Sequence, residues 1–324
     1  MIIITGGAGF IGSAIAAALN QRGIEDILIV DELGQDEKWK NLRTLRFLDY
    51  LEVDDFNETV ADGETEWEVE AVFHMGACSD TTETDATYLV KNNYEFSKLL
   101  CGWALEIGTR FIYASSAATY GDGAQGFGDE EDKLGRLRPL NMYGYSKQMF
   151  DLWLRRQGLL DQVVGLKYFN VFGPNEYHKG PMRSFVHKAF EQIRETGRVR
   201  LFQSHRPDYK DGRQLRDFIY VKDAVEMTLF FAEHPEANGL FNIGTGQARS
   251  WNDMAAAVFE AMGKPAEIEY IPMPETLRDK YQYYTQADIS KLRATGYRQP
   301  VTPLEEAISD YVKNYLLPGN YLGA

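Results

Sequence analysis

Thr5-Gly-Gly-Ala-Gly-Phe-Ile-Gly12 follows three isoleucines, Ile2 to Ile4, and it decides how the rest of the chain is read. The isoleucines form a short apolar strand, and Gly6, Gly9 and Gly12 turn the chain from it into a helix running towards Gln21. Gly6 permits the tight turn, Gly9 lets the backbone approach a diphosphate, and Gly12 allows close packing of helix on strand. The diphosphate then sits at the helix N-terminus, where unpaired N–H groups point outwards. A glycine turn by itself is commonplace. Here a second apolar strand, Ile27-Leu-Ile-Val30, ends in Asp31, at the spacing where such a site holds a ribose.

Asp31 alone suggests NAD. Lys38, a few residues on, could pair with a 2′-phosphate and so suggests NADP, although Lys38 and Lys40 could equally form a solvated face. The residues leave both cofactors open.

Working outwards, Ala71-Val-Phe-His74, Arg110-Phe-Ile-Tyr-Ala-Ser115 and Val163 to Tyr168 read as further strands, with a helical stretch from Tyr88 to Glu106. Strands alternating with helices predict an α/β fold: a doubly wound parallel (Rossmann) sheet with helices on both faces. The alternation loosens after Pro174. Asp217-Phe-Ile-Tyr-Val221 and Leu240-Phe-Asn-Ile243 then read as returns to the core. The expectation is a dinucleotide-binding domain of residues 1–172 plus about 215–245. A smaller, discontinuous α/β substrate domain takes about 173–214 plus 246–324.

The 324 residues are 44% hydrophobic and 25% charged, a soluble globular profile. Net charge is 34 − 48 = −14, a field that repels nucleic acid and anionic membranes. An acidic chain that binds an anionic cofactor must gather positive groups locally. Cys78 and Cys101 offer neither metal spacing nor a disulfide framework, so no metal is expected. Without a signal-like or membrane-spanning apolar run, the expected compartment is the cytoplasm.

The chemistry is carried by Asn141-Met-Tyr-Gly-Tyr-Ser-Lys147. Tyr143 and Lys147, four apart, share one face of a helix. A phenol titrates near pH ~10, and a neighbouring ammonium favours phenolate, so Lys147 is expected to lower the Tyr143 pKa into a usable range. Tyr-x-x-x-Lys is frequent by chance; the glycine turn in the same chain lifts it to a redox site. Ser116 ends a strand, where open α/β sheets bind ligands, and its hydroxyl could bond both Tyr143 and a substrate oxygen.

These motifs, with Arg216-Asp-Phe-Ile-Tyr-Val221 and Asn242-Ile-Gly-Thr-Gly246, resemble the extended short-chain dehydrogenase/reductase superfamily of nucleotide-sugar enzymes. More narrowly, Phe73-His-Met-Gly-Ala-Cys-Ser79, Ser115 to Tyr120, Pro139 to Lys147, Asn170-Val-Phe-Gly-Pro174, His178-Lys-Gly180 and Tyr281 to Asp288 resemble the ADP-glyceromanno-heptose 6-epimerase family. The resemblance implies conversion of ADP-D-glycero-β-D-manno-heptose to the L-glycero epimer, supplying heptose to the lipopolysaccharide inner core. It also implies a tightly bound, recycled NADP that takes a hydride from C6″ and returns it to the other face of a transient ketone. A proton is then handled in two sugar orientations, and Lys179 matches the family's second acid/base beside Tyr143. Without the resemblance, Lys179 would read as a phosphate ligand or a solvated side chain.

Cofactor contacts implied at matching positions are Gly6, Gly9, Phe10, Ile11, Gly12, Asp31, Glu32 and Lys38. Met75, Gly76, Ala77, Cys78, Ser79, Asn92, Lys147, Val171 and Lys179 complete them. Sugar-nucleotide contacts implied are Ser116, Asn170, Pro181, Lys188, Leu201, Phe202, Gln203, Ser204, Arg216 and Tyr281. Arg216 suits a diphosphate through its planar fork, the bland alternative being an ion pair with Asp217. Met75 replaces a polar residue, and Val53 stands where a second phosphate-binding lysine would sit. The family further implies a homo-oligomer, a ring of five. A 4,6-dehydratase is disfavoured, because Ala117 and Ala118 occupy the positions of its proton-transferring carboxylates. A UDP-hexose 4-epimerase remains the nearest rival. A cofactor-bound scaffold would be expected to lose Tyr143 or Lys147, and both are present.

Overall fold

Seven strands pair, all in parallel, into one sheet: β1 (Ile2–Thr5), β2 (Ile27–Asp31), β3 (Asp49–Glu52), β4 (Ala71–His74), β5 (Arg110–Ser116), β6 (Val164–Tyr168) and β10 (Gly239–Ile243). The computed structural model describes residues 1–63, 65, 67–278 and 281–323. The strand order is β3-β2-β1-β4-β5-β6-β10. The chain runs outwards from β1 to β3, then crosses back to start β4 on β1's other side. That reversal leaves a crevice above the carboxyl ends of β1 and β4, where open α/β sheets take their ligands.

Covering both faces explains why the strands inside β3 are predominantly apolar. Alternate side chains of β1 enter different layers. Ile2 and Ile4 pack with the helices Phe10–Gln21 and Val221–Glu233, while Ile3 packs with Phe56, Leu100 and Phe150. Full burial of one such side chain is worth about 1.5–3 kcal/mol.

The glycine turn packs backbone on backbone. A Cβ on Gly6 would lie 2.7 Å from Gly76 Cα, just beyond β4, and one on Gly12 would lie 2.1 Å from the Gly6 carbonyl oxygen. Neither position tolerates a side chain. Gly9 is the N-cap of the helix Phe10–Gln21 and makes no side-chain cap bond, and the first turn holds no acid. Its leading N–H groups are therefore unclaimed.

The later chain builds two small sheets. β7 (Asn170–Phe172) runs parallel to β9 (Leu215–Tyr220), and β11 (Ala248–Ser250) runs antiparallel to β9. β8 (Val199–Phe202) pairs in parallel with β12 (Ile268–Ile271), joining stretches about 70 residues apart. The segment around Asp217 thus enters a small sheet, not the large one, whereas Gly239–Ile243 does return to the large sheet as its edge. The helical stretch expected from Tyr88 runs from Ala86 to Glu106, with a wider π-helical turn over Val90–Glu95. No helix among the described residues is long and apolar enough to cross a membrane.

Candidate active site

Above the crevice lies a cleft of about 870 Å³. Ser116, Tyr143, Lys147 and Lys179 all line it, as do Phe10, Ile11, Met75, Ala77, Ser79, Asn170, Val171, Lys188, Leu201, Phe202, Arg216 and Tyr281. Ser116 is the last residue of β5 and accepts the Ala118 N–H at 3.1 Å, which leaves its own proton to donate. Ala117 and Ala118 line the cleft beside it and offer no acid.

Tyr143 and Lys147 stand one turn apart on the helix Met142–Gln157, which starts where Asn141 Oδ1 accepts the Gly144 N–H at 2.7 Å. Burial pushes the Tyr143 phenol up, and hydrogen bonding with Ser116 only partly offsets it. The expected lowering by Lys147 is therefore corrected: desolvation sets the direction at Tyr143, and burial pulls Lys147 itself down to about 8, against Asp151. Lys179 belongs to the turn Tyr177–Met182, with its Nζ 5.4 Å from the centre of the Phe10 ring. Burial lowers its pKa; Glu176 opposes and Lys188 reinforces the shift.

Lys147, Lys179 and Lys188 make no side-chain hydrogen bond or ion pair with any described residue. Arg216 is 6% exposed and, among the described residues, donates only to the carbonyls of Leu215 and Gln282, with its guanidinium 5.3 Å from the Tyr281 ring centre. Burial brings it down to about 10. Asp217 is not its partner: that carboxylate accepts from Thr245, Gly246 and Ala287. In a chain of net charge −14, four cations that have no carboxylate partner among the described residues converge on one cleft. Such a cleft suits a dianionic ligand.

At the end of β2, Asp31 accepts the Ala8 N–H and the Glu32 N–H, both at 2.8 Å, and the Lys38 ammonium at 3.0 Å. Lys38 also donates to the Glu32 carbonyl at 2.7 Å. Asp31 thus staples the glycine turn and anchors Lys38, which keeps one proton uncommitted. The glycine cradle, the open helix N-terminus and this corner fit a dinucleotide. Asp31, Glu32 and Lys38 lie beyond the cleft lining.

Four implied contacts fall elsewhere. Asn92 turns to its own helix, donating to the Tyr88 carbonyl at 2.9 Å. Gln203 is exposed, Ser204 spends its hydroxyl on the Arg206 carbonyl, and Pro181 lies in the Lys179 turn outside the lining. Gly76 and Cys78 act from behind the wall. Asn93, which the sequence did not single out, grips the Cys78 N–H at 2.8 Å and carbonyl at 2.9 Å, and reaches Ser146 at 3.0 Å. Ser146 in turn donates to the Tyr143 carbonyl at 2.7 Å. His74 bridges Thr5 at 2.7 Å and Ser97 at 2.8 Å, and burial takes it down to about 3, so it is neutral. Met75 meets the Tyr168 hydroxyl through sulfur at 3.6 Å. Arg183 lines the cleft as well, paired with Glu191 at 2.9 Å.

The sheet order, the glycine cradle and the Ser-Tyr-Lys set define a nicotinamide-dependent Rossmann enzyme. The profile of the NAD dependent epimerase/dehydratase family matches residues 2–244, and the chain belongs to that family. The ADP-L-glycero-D-manno-heptose-6-epimerase of Nitratidesulfovibrio vulgaris strain Hildenborough is 56% identical over 316 residues, 98% of each chain. The crystal structure of the Helicobacter pylori ADP-L-glycero-D-manno-heptose-6-epimerase superposes with a TM-score of 0.80 at 29% identity, covering 97% of this chain and 95% of that one. The UDP-glucose 4-epimerase of Thermus thermophilus, solved with NAD, gives 0.76 at 28% identity, covering 96% and 97%.

Proposed function

We infer that this chain is an ADP-heptose 6-epimerase. It inverts C6″ of ADP-D-glycero-β-D-manno-heptose to give the L-glycero epimer through a transient ketone. The observation that carries this reading is the end-to-end likeness to the Nitratidesulfovibrio enzyme, and the cleft supplies the chemistry. Bound over the glycine turn, a nicotinamide supplies the hydride acceptor and donor. Ser116 donates a hydrogen bond to the reacting oxygen. Tyr143 takes the hydroxyl proton in one sugar orientation, and Lys179 serves the other. Lys147 favours the phenolate and holds the nicotinamide ribose. Arg216 and Lys188 receive the substrate diphosphate, with Asn170, Leu201, Phe202 and Tyr281 around it.

The cofactor in this reading is NADP, with NAD as the alternative. Asp31 already accepts from Ala8, Glu32 and Lys38, which leaves it one acceptor site on Oδ2 for a ribose hydroxyl, while Lys38, with a proton to spare, is the group that meets a 2′-phosphate. The two-domain division given above, a cytoplasmic location and a five-membered ring belong to the same proposal; sedimentation of the purified protein measures the last.

The test is NMR of purified protein with ADP-D-glycero-D-manno-heptose and no added reductant. Appearance of both C6″ epimers supports the reading. No conversion, with UDP-galactose and UDP-glucose interconverting instead, moves the function to a 4-epimerase. Tyr143→Phe and Lys179→Met should each collapse turnover without releasing cofactor.

A further inference from the structure

Asn175 is the one residue other than glycine with positive φ (75°) among the described residues. A side chain in that region costs about 1–2 kcal/mol, and it persists only where the surroundings hold it. Here they do. Asn175 is fully buried; its Nδ2 donates to Ser13 Oγ at 2.9 Å and its Oδ1 accepts the Leu322 N–H at 2.9 Å. Its carbonyl accepts from Asn41 Nδ2 at 3.0 Å. Asn41, 1% exposed, also donates to the Ala8 carbonyl at 2.9 Å, and its Nδ2 lies 3.3 Å from His178 Nδ1.

Two asparagines therefore join segments remote in sequence: the glycine turn with its helix, the 38–42 turn, and the loop that continues into Lys179. Residues 320–322 close the junction, where Tyr177 donates to the Asn320 carbonyl at 2.8 Å and Thr44 to the Leu322 carbonyl at 2.9 Å. The Lys179 N–H bonds the Glu176 carbonyl at 3.0 Å, which carries this anchoring up to the lysine.

We propose that Asn41 and Asn175 are positioning residues for Lys179, locking its loop to the same backbone that receives the cofactor diphosphate. The proposal rests on Lys179 being the second acid/base. A lysine has four flexible side-chain bonds, and its reach to one face of a sugar depends on where its loop is held. Because Tyr143 sits on a different element, loosening the loop should weaken one sugar orientation and spare the other.

The experiment uses the holoenzyme and each ADP-heptose epimer separately. Rapid mixing follows single-turnover reduction of the bound nicotinamide. Asn175→Gly keeps the backbone conformation while deleting both side-chain bonds; Asn41→Leu removes the amide at similar volume. Ser13→Ala, a milder change, removes only the acceptor for Asn175. Lys179→Met is the reference.

The expected result is that Asn175→Gly and Asn41→Leu slow reduction by one epimer at least about tenfold more than by the other, with the same bias as Lys179→Met. Cofactor should stay bound through gel filtration, and Ser13→Ala should show the bias more weakly. Equal slowing with both epimers, or none, alongside a biased Lys179→Met overturns the proposal and leaves the role of Lys179 standing. An unbiased or fully active Lys179→Met defeats that role and the proposal with it.

Discussion

Lys147 and Lys167 are both buried, 5% and 0% exposed, and they share one carboxylate neighbour, yet they are treated in opposite ways. Asp151 binds the Lys167 ammonium at 2.6 Å, with Tyr113 and Ser115 donating to it at 2.8 Å each. Thr119 accepts from Lys167 at 2.8 Å and donates in turn to the Ser116 carbonyl at 2.8 Å. That charge is fully matched and ties β5 and β6 to the helix Met142–Gln157. Lys147, one turn before Asp151 on that helix, has no bonded partner among the described residues and is drawn down to about 8. Matching a buried charge fixes structure; leaving one unmatched keeps it responsive to what enters the cleft.

The contrast breaks most visibly in catalysis. Lys147→Met should cut kcat by about 10²–10⁴ and loosen the cofactor while the apo fold survives, as steady-state rates and cofactor retention would record. Next comes Lys167→Met, which strands Asp151 in the core and should cost about 3–5 kcal/mol in denaturant unfolding. Adding Asp151→Leu should recover much of that loss; failure to recover would mean that the pair is not the stabilising unit.

A smaller effect has the opposite sign. An unfolded lysine titrates near ~10.4, so folding with Lys147 near 8 imposes a penalty that is complete below the lower value and gone above the higher. Apo Lys147→Met should therefore be more stable than the parent at pH ~7, by up to about 3 kcal/mol, with the gain shrinking as pH rises towards ~10. Smallest is the pH effect on rate: turnover should decline as pH rises through about 8, where Lys147 loses its proton. Lys147→Arg, charged throughout, should lack that descending limb in a kcat profile.

The strands β1, β2, β4, β5 and β6 were legible because burial on both faces makes them predominantly apolar. β3 was not: Asp49-Tyr-Leu-Glu52 lies at the sheet edge, half exposed and acidic at both ends. Of the small sheets only the Leu215–Tyr220 strand was glimpsed; the others are short and half exposed, and they mix polar or charged with apolar residues, as in Val199-Arg-Leu-Phe202. In the site, Ser116, Tyr143, Lys147 and Lys179 come together in one cleft as their motifs suggested. Asn92 and Asn93 show the limit of reading by position. They are neighbours in sequence, but helical rotation and the π-helical turn send one to its own backbone and the other to Cys78 and Ser146. Asn41 and Asn175 were invisible for a related reason, since their partners are largely backbone atoms of distant segments. The pKa of Tyr143 depended on burial, which spacing does not encode.

The place of β10 at the edge of the large sheet has a consequence for the order of synthesis. When β6 has left the ribosome, six of the seven strands exist, but β6 waits about 70 residues for Gly239–Ile243 to cover its outer edge. Throughout that interval the nascent chain carries an open, apolar strand edge, a template for pairing with its neighbours on the same messenger. Fragments ending before Gly239 should accordingly aggregate even though they contain the whole glycine turn.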